Sequence, residues 1–183
     1  MRRPSAGSTP ATGSSWRQGA RSMADLVAEA AEPGVTQLLA TESMLLDQRR
    51  FSDWLTLWAP DGCYWIPVDP DLVDGRDAVN HVLDDLGRLR TRVDRLLGPA
   101  AHTEEPPARS ARVLGTTITL ASSELTHVVT PFVLTAHRHG RTALVSGHYH
   151  HHLRTTADGL RIVTKRVDLI DADAPLNSLP TLL

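Results

Sequence analysis

A single cysteine, Cys63, and a single lysine, Lys165, occur in 183 residues. One thiol excludes an internal disulfide, a four-cysteine zinc site and an iron–sulfur cluster held by cysteines of this chain alone. It fits a reducing, cytoplasmic setting. The scarcity of lysine leaves arginine to carry the positive charge, which favours planar bidentate ion pairs, although a compositional bias produces the same excess. No apolar run approaches the roughly 18 residues that a helical membrane span requires. Neither sign of charge dominates: 19 basic and 21 acidic residues leave a net charge of -2, so there is no global electrostatic footprint for nucleic acid. The GxSxG nucleophile motif and the GxxxxGK[ST] and GxGxxG phosphate loops are also missing, which disfavours the enzyme classes built on them.

What is present suits one soluble domain preceded by a tail. Hydrophobic residues make up 41% and charged residues 22% of the chain, and a domain of this size buries roughly 70% of its unfolded surface. Residues 1–22 hold Arg2, Arg3, Arg17 and Arg21, no acid and many Ser, Gly, Thr and Pro. They lack the apolar content to pack, and a disordered tail over 1–34 before a domain over 35–183 is expected. No apolar segment follows the first arginines as a secretory signal needs; the basic, acid-free start also has the character of a transit peptide, or of a start placed ahead of Met23.

Past Pro33-Gly34, Val35, Leu38, Leu39, Leu45 and Leu46 recur at helical spacing and predict a helix over 35–48. Glu42 falls inside this stripe, so its carboxylate needs an Arg or backbone partner or serves as an acid. A short helix over 52–59 starts at a Ser cap and sets Phe51, Trp54, Leu55 and Trp58 on one side. Cys63 to Val68 reads as a strand interrupted by proline and hence at a sheet edge. From Arg76 to Leu97 apolar positions recur at three and four, predicting the longest helix, stopped by Gly98-Pro99. Four β-rich segments follow, 112–121, 127–137, 141–155 and 160–170. Asp158-Gly159 and, more weakly, His139-Gly140 signal hairpins, so the strands should form an antiparallel meander. Helices first and sheet afterwards give the α+β class.

Two clusters could carry chemistry. His148, His150 and His152 alternate onto one strand face, with His151 on the other and His137 and His139 one hairpin away. Imidazoles about 6.6 Å apart cannot all reach one ion without help from a neighbouring strand. The simpler reading is a polar strand face whose charge changes near pH 6 to 7. Asp47, His81 and His102 are titratable groups that would support proton transfer if the fold brought them to one cavity.

The stretch Asp47-Gln-Arg-Arg50-Phe-Ser-Asp53-Trp54-Leu-Thr-Leu-Trp58-Ala-Pro-Asp61-Gly-Cys-Tyr64-Trp65-Ile-Pro67 resembles the small, beta subunit of aromatic-ring-hydroxylating dioxygenases, and more loosely the start of nuclear-transport-factor-2-like domains. Arg92-Val-Asp-Arg-Leu96, Gly98, Pro106-Pro107, Arg109, Gly159 to Leu169 and Leu176-Asn-Ser-Leu179 extend the likeness to about residues 35–183. The resemblance implies a nuclear-transport-factor-2-like, cystatin-like α+β cone, in which a curved, mostly antiparallel sheet wraps a long helix. It implies a structural subunit with no cofactor of its own, beside a catalytic alpha subunit that carries a Rieske 2Fe-2S cluster and a mononuclear iron, in an α3β3 assembly with beta-beta self-contacts and without nucleic acid or membrane. Arg50, Trp54, Trp58, Tyr64 and Trp65 are of the residue types that interfaces expose, and they are equally suited to a core. Two alternatives use the same fold: a free-standing dehydratase, isomerase or hydrolase acting through Asp47, Glu42 or His81, and a small-ligand binding module.

Removal of residues 1–22 is expected to leave folding and assembly intact; a truncated chain that fails to form soluble complex would refute the tail assignment.

Overall fold

A computed structural model of the chain describes residues 29–98, 106–120, 124–173 and 181–183. The tail over 1–22, His102 and Leu176 to Leu179 lie outside the described residues. Within them the elements run β1 (Glu29–Ala30), α1 (Pro33–Asp47), α2 (Phe51–Trp54), a 3-10 turn (Leu55–Leu57), β2 (Trp58–Pro67), β3 (Asn80–Asp85), α3 (Leu86–Leu97), β4 (Arg109–Leu114), β5 (Ile118–Leu120), β6 (Thr126–Arg138), β7 (Arg141–Thr156) and β8 (Gly159–Leu169). The eight strands form one sheet in the order β1-β5-β6-β7-β8-β2-β3, with β4 paired to β6 ahead of β5. This is the expected α+β architecture: an open, curved sheet with few helices, α1 lying against β4 and β8 and α3 against β2 and β3. β1 pairs antiparallel with β5, Glu29 opposite Thr119 and Ala30 opposite Ile118, which ties residues 29–30 to the sheet.

The carboxyl-terminal meander follows the sequence reading closely. β6 pairs β7 from Thr126↔Leu153 to Arg138↔Arg141, and β7 pairs β8 from Gly147↔Leu169 to Thr156↔Gly159. Both turns use left-handed backbone, at His139 and Gly140 in the first and at Gly159 in the second. In β7 a side chain at Gly147 would place its Cβ 2.0 Å from the Asp168 carbonyl oxygen, so only glycine fits there. The expected strand over 112–121 is two pieces, β4 and β5, which lie end to end along one edge of β6. The break falls at Gly115, where a Cβ would strike Pro131.

Three expectations require correction. The helix expected from Arg76 begins only at Leu86, so α1 is the longest helix; residues 80–85 are a strand paired antiparallel to β2. The spacing of Val79, Val82, Leu83 and Leu86 suits a helix, but Val82 and Asp84 alternate inward and the Asp85 carboxylate accepts the Arg88 N–H (2.8 Å), which caps a new helix at Leu86. The second helix is one turn of α plus one of 3-10, and Trp58 already belongs to β2. β2 is not an edge strand: it runs parallel to β8 on one side and antiparallel to β3 on the other. Its prolines sit where they do little harm, Pro60 within the irregular stretch of the β8 ladder and Pro67 at the strand's end.

The core lies between the helices and the inner face of the sheet. α1 contributes Val35, Leu38, Leu39, Leu45 and Leu46, and the sheet Ile66, Phe132, Leu134, Leu153, Ile162 and Val167. Trp54, Trp58 and Tyr64 meet edge to face, with ring centroids 5.3, 6.0 and 6.3 Å apart. Trp58→Ala is expected to cost about 3 to 5 kcal/mol in denaturant unfolding; a loss below about 1 kcal/mol would show that the ring is dispensable to the core.

Candidate functional site

Glu42 is the inward acid that the helix periodicity marked. It projects from α1 into the core, where three side chains surround its carboxylate. Lys165 Nζ lies 3.0 Å from Oε1, His151 Nε2 lies 2.9 Å from Oε2, and the Trp54 indole N–H donates to Oε1 at 3.0 Å. His151 and Lys165 face each other across the β7–β8 ladder, so one strand pair supplies both. The Glu42 side chain is 3% exposed and those of Lys165 and His151 are not exposed at all. Burial pushes the carboxyl upward, but Lys165 first, then His151 and Trp54, outweigh it and hold the group well below its ordinary 4.5. Burial pulls the Lys165 ammonium down to about 8 against the opposing pull of Glu42. The ammonium also stands 4.3 Å above the centre of the Tyr149 ring, which is stacked on Phe132.

The partner of Glu42 is thus a lysine and a histidine, where an arginine or the backbone was expected. Alternation along β8 carried the signal, since Lys165 shares its face with Val163, Val167 and Leu169. The cluster has the groups of an acid-base device, but among the described residues its side chains are sealed from solvent; it neutralises charge and locks α1 and α2 onto β7 and β8.

The other candidate acid-base groups do not converge. Asp47, at the end of α1, accepts from Arg112 Nε (3.0 Å), the Arg112 N–H (2.9 Å) and Ser110 Oγ (2.9 Å). His81 sits on β3, bonded through Nε2 to the Ala172 carbonyl (2.9 Å). The Tyr64 hydroxyl, pushed above its ordinary value chiefly by burial, bonds to Leu183. Among the interface candidates, Trp54, Trp58, Tyr64 and Trp65 are all buried inside this chain, as the core alternative for these rings has it; Arg50 is exposed and pairs with Asp53 at 2.7 Å.

On the outer face of the sheet His127 stacks on His152 with centroids 4.4 Å apart and approaches His150, Nε2 to Nδ1, at 3.3 Å. His150 also lies 3.3 Å from Asp168. Only His151 of the run turns fully inward, as alternation requires. Burial, then the neighbouring imidazoles, draws His127 down to about 4, and burial with Arg166 draws His150 to about 4 against Asp168, so neither changes charge near pH 6 to 7. No group of three or more metal-binding side chains is arranged to hold an ion among the described residues. One cysteine cannot supply the thiolates of a Rieske centre, so the donor set does not fit that cluster. Beside the histidines a cavity of about 830 Å³ opens between the β2–β3 loop and the sheet, over Trp65, Leu72, Leu83, Arg88 and Arg166. Arg166 roofs it, stacked 4.4 Å from the Trp65 ring centre and bonded to Asp168 and to the carbonyls of Pro70 and Leu72.

Removing one charge of the inner cluster leaves the other buried and unpaired. Glu42→Gln is therefore expected to cost about 3 to 5 kcal/mol, and the double change Glu42→Leu with Lys165→Met much less. The Glu42 carboxyl titrates lower in the folded than in the unfolded chain, so its contribution is complete above about 4.5 and is lost as pH falls below that value. Denaturant melts between pH 3 and 7 should show a shallower acid decline in the double variant than in the unaltered chain; equal slopes would mean that Glu42 is not the group responsible.

The family model described as "Ring hydroxylating beta subunit" matches residues 41–174. The small oxygenase component of the p-cumate 2,3-dioxygenase system of Pseudomonas putida is 34% identical over 145 residues, 78% of this chain and 81% of that protein. Among solved structures, the beta subunit of the benzoate 1,2-dioxygenase of Burkholderia mallei superimposes with a TM-score of 0.66 at 18% identity, covering 81% of this chain and 97% of that one. A nuclear-transport-factor-2-like protein with a cystatin-like fold from Novosphingobium aromaticivorans gives 0.53 at 17% identity, over 77% and 82%. The solved structures share the fold, and the family match over residues 41–174 together with the Pseudomonas putida relative shows more: the chain belongs to the ring-hydroxylating beta subunit family.

Proposed function

We propose that this chain is the small, structural subunit of a Rieske-type aromatic-ring-hydroxylating dioxygenase and supports the catalytic large subunit while that partner dihydroxylates an aromatic compound. The match to the beta subunit family over residues 41–174 carries the reading. The large subunit would hold the Rieske 2Fe-2S cluster and the mononuclear iron, and the assembly would be α3β3 with contacts between small subunits, in the cytoplasm. No helix among the described residues is long and apolar enough to cross a membrane.

Two features of the fold support a structural role. The groups that a cavity enzyme would need are tied to each other, Glu42 to Lys165 and His151, and Asp47 to Arg112 and Ser110. The outer face of the sheet meanwhile leaves large apolar side chains uncovered: Val113 lies opposite Val133 across β4 and β6, and Leu144 and Ile170 stand exposed nearby. Monomers seldom leave such groups together, whereas subunit interfaces use them.

Expressed alone, the chain should be free of metal. Expressed together with a large subunit of such a dioxygenase from the same source, it should co-purify in equal stoichiometry with an iron-containing protein, read by native mass and metal content. A small homo-oligomer that recruits no iron protein would overturn the proposal.

A further inference from the structure

Residues 182 and 183 belong to no strand or helix, yet they are 5% and 0% exposed and form part of the core cluster. Side chains, not a neighbouring strand, hold their backbone. The Tyr64 hydroxyl donates to the Leu183 carbonyl (3.3 Å) and accepts the Leu183 N–H (3.1 Å). Arg112 Nη2 donates to the Leu182 carbonyl at 3.1 Å. Backbone bonds combined with apolar seats for side chains are how proteins bind extended peptides.

The receptor is assembled without help from the segment it holds. Arg112 is fixed by both oxygens of Asp47, one taking Nε and the other the backbone N–H, and Ser110 joins the same carboxylate. Tyr64 is wedged edge-on between Trp54 and Trp58. The Arg112 side chain has no exposed surface, and its Nη1 has no hydrogen-bond partner among the described residues. A buried cation with a donor left over by residues 182–183 marks a site with more binding capacity than these two residues use.

We propose that this end of the fold, built from Tyr64, Arg112 and Asp47, is a binding site for an extended, leucine-bearing peptide segment, and that residues 182–183 are its ligand supplied in cis. The segment acts as an exchangeable plug: the same chemistry offered in trans competes for the seat once the plug is withdrawn. This inference concerns a site inside the chain and stands whether or not the large-subunit partner is found.

The test compares the full chain with one lacking residues 181–183, using a fluorescently labelled Pro-Thr-Leu-Leu peptide and polarisation. The shortened chain should bind the peptide saturably, the full chain at least about tenfold more weakly, and Tyr64→Phe in the shortened chain should lose about tenfold, the worth of about one to two hydrogen bonds. A shortened chain that keeps its near-ultraviolet circular dichroism but does not bind, or equal binding by both chains, would overturn the proposal. If the shortened chain does not fold, the full chain decides: hydrogen exchange at the Leu183 amide, which donates to the Tyr64 hydroxyl, should be about tenfold faster in Tyr64→Phe than in the unaltered protein, and an unchanged rate would equally overturn it.

Discussion

A carboxylate with almost no access to water has to be neutralised where it stands, and Glu42 meets that condition by drawing four elements to one point. α1 supplies the acid, α2 the indole, and β7 and β8 the imidazole and the ammonium. Every one of these placements depends on the others. A slip of one residue between β7 and β8 would carry His151 or Lys165 to the outer face and strand the carboxylate, so the cluster penalises the wrong register far more than an apolar core would. A rotation of α1 by one position would do the same. The ion cluster specifies which packing is adopted, whereas the surrounding leucines and aromatic rings provide most of the burial.

The two faces of the sheet handle charge differently. Inside, opposite charges are matched in a dry setting and held to each other. Outside, Arg166 spreads over the Trp65 ring and grips the β2–β3 loop by its carbonyls, His127 stacks on His152, and the imidazoles of His127 and His150 lie together without becoming charged at neutral pH. This arrangement leaves the far end of the outer face apolar and open, which suits a chain that works by contact with other chains.

Local chemistry made much of this legible in the sequence. The β6-β7-β8 meander could be read because Asp158-Gly159 and His139-Gly140 are turn signals and the strands between them are rich in β-branched residues. Glu42 was visible as an inward acid because α1 keeps a clean period. The strand at residues 80–85 was hidden: Val82, Leu83 and Leu86 fit a helical stripe as well as they fit a strand running into a helix, and only the Asp85 cap separates the two. The interior place of β2 was hidden as well, because its partner β8 comes about a hundred residues later, and long-range pairing leaves no mark on local composition. The receptor for Leu182 and Leu183 joins β2, β4 and the last residues, and its members carry no motif that would connect them in one dimension.

The burial of Lys165 also has a practical side. It is the one lysine of the chain, and its ammonium is sealed behind Tyr149 and Glu42. The folded protein therefore offers no ε-amino group to acylating reagents, cross-linkers or lysine-specific proteases. Reaction at that amine reports the opening of the core, so labelling located at Lys165 becomes a direct gauge of how often the core opens.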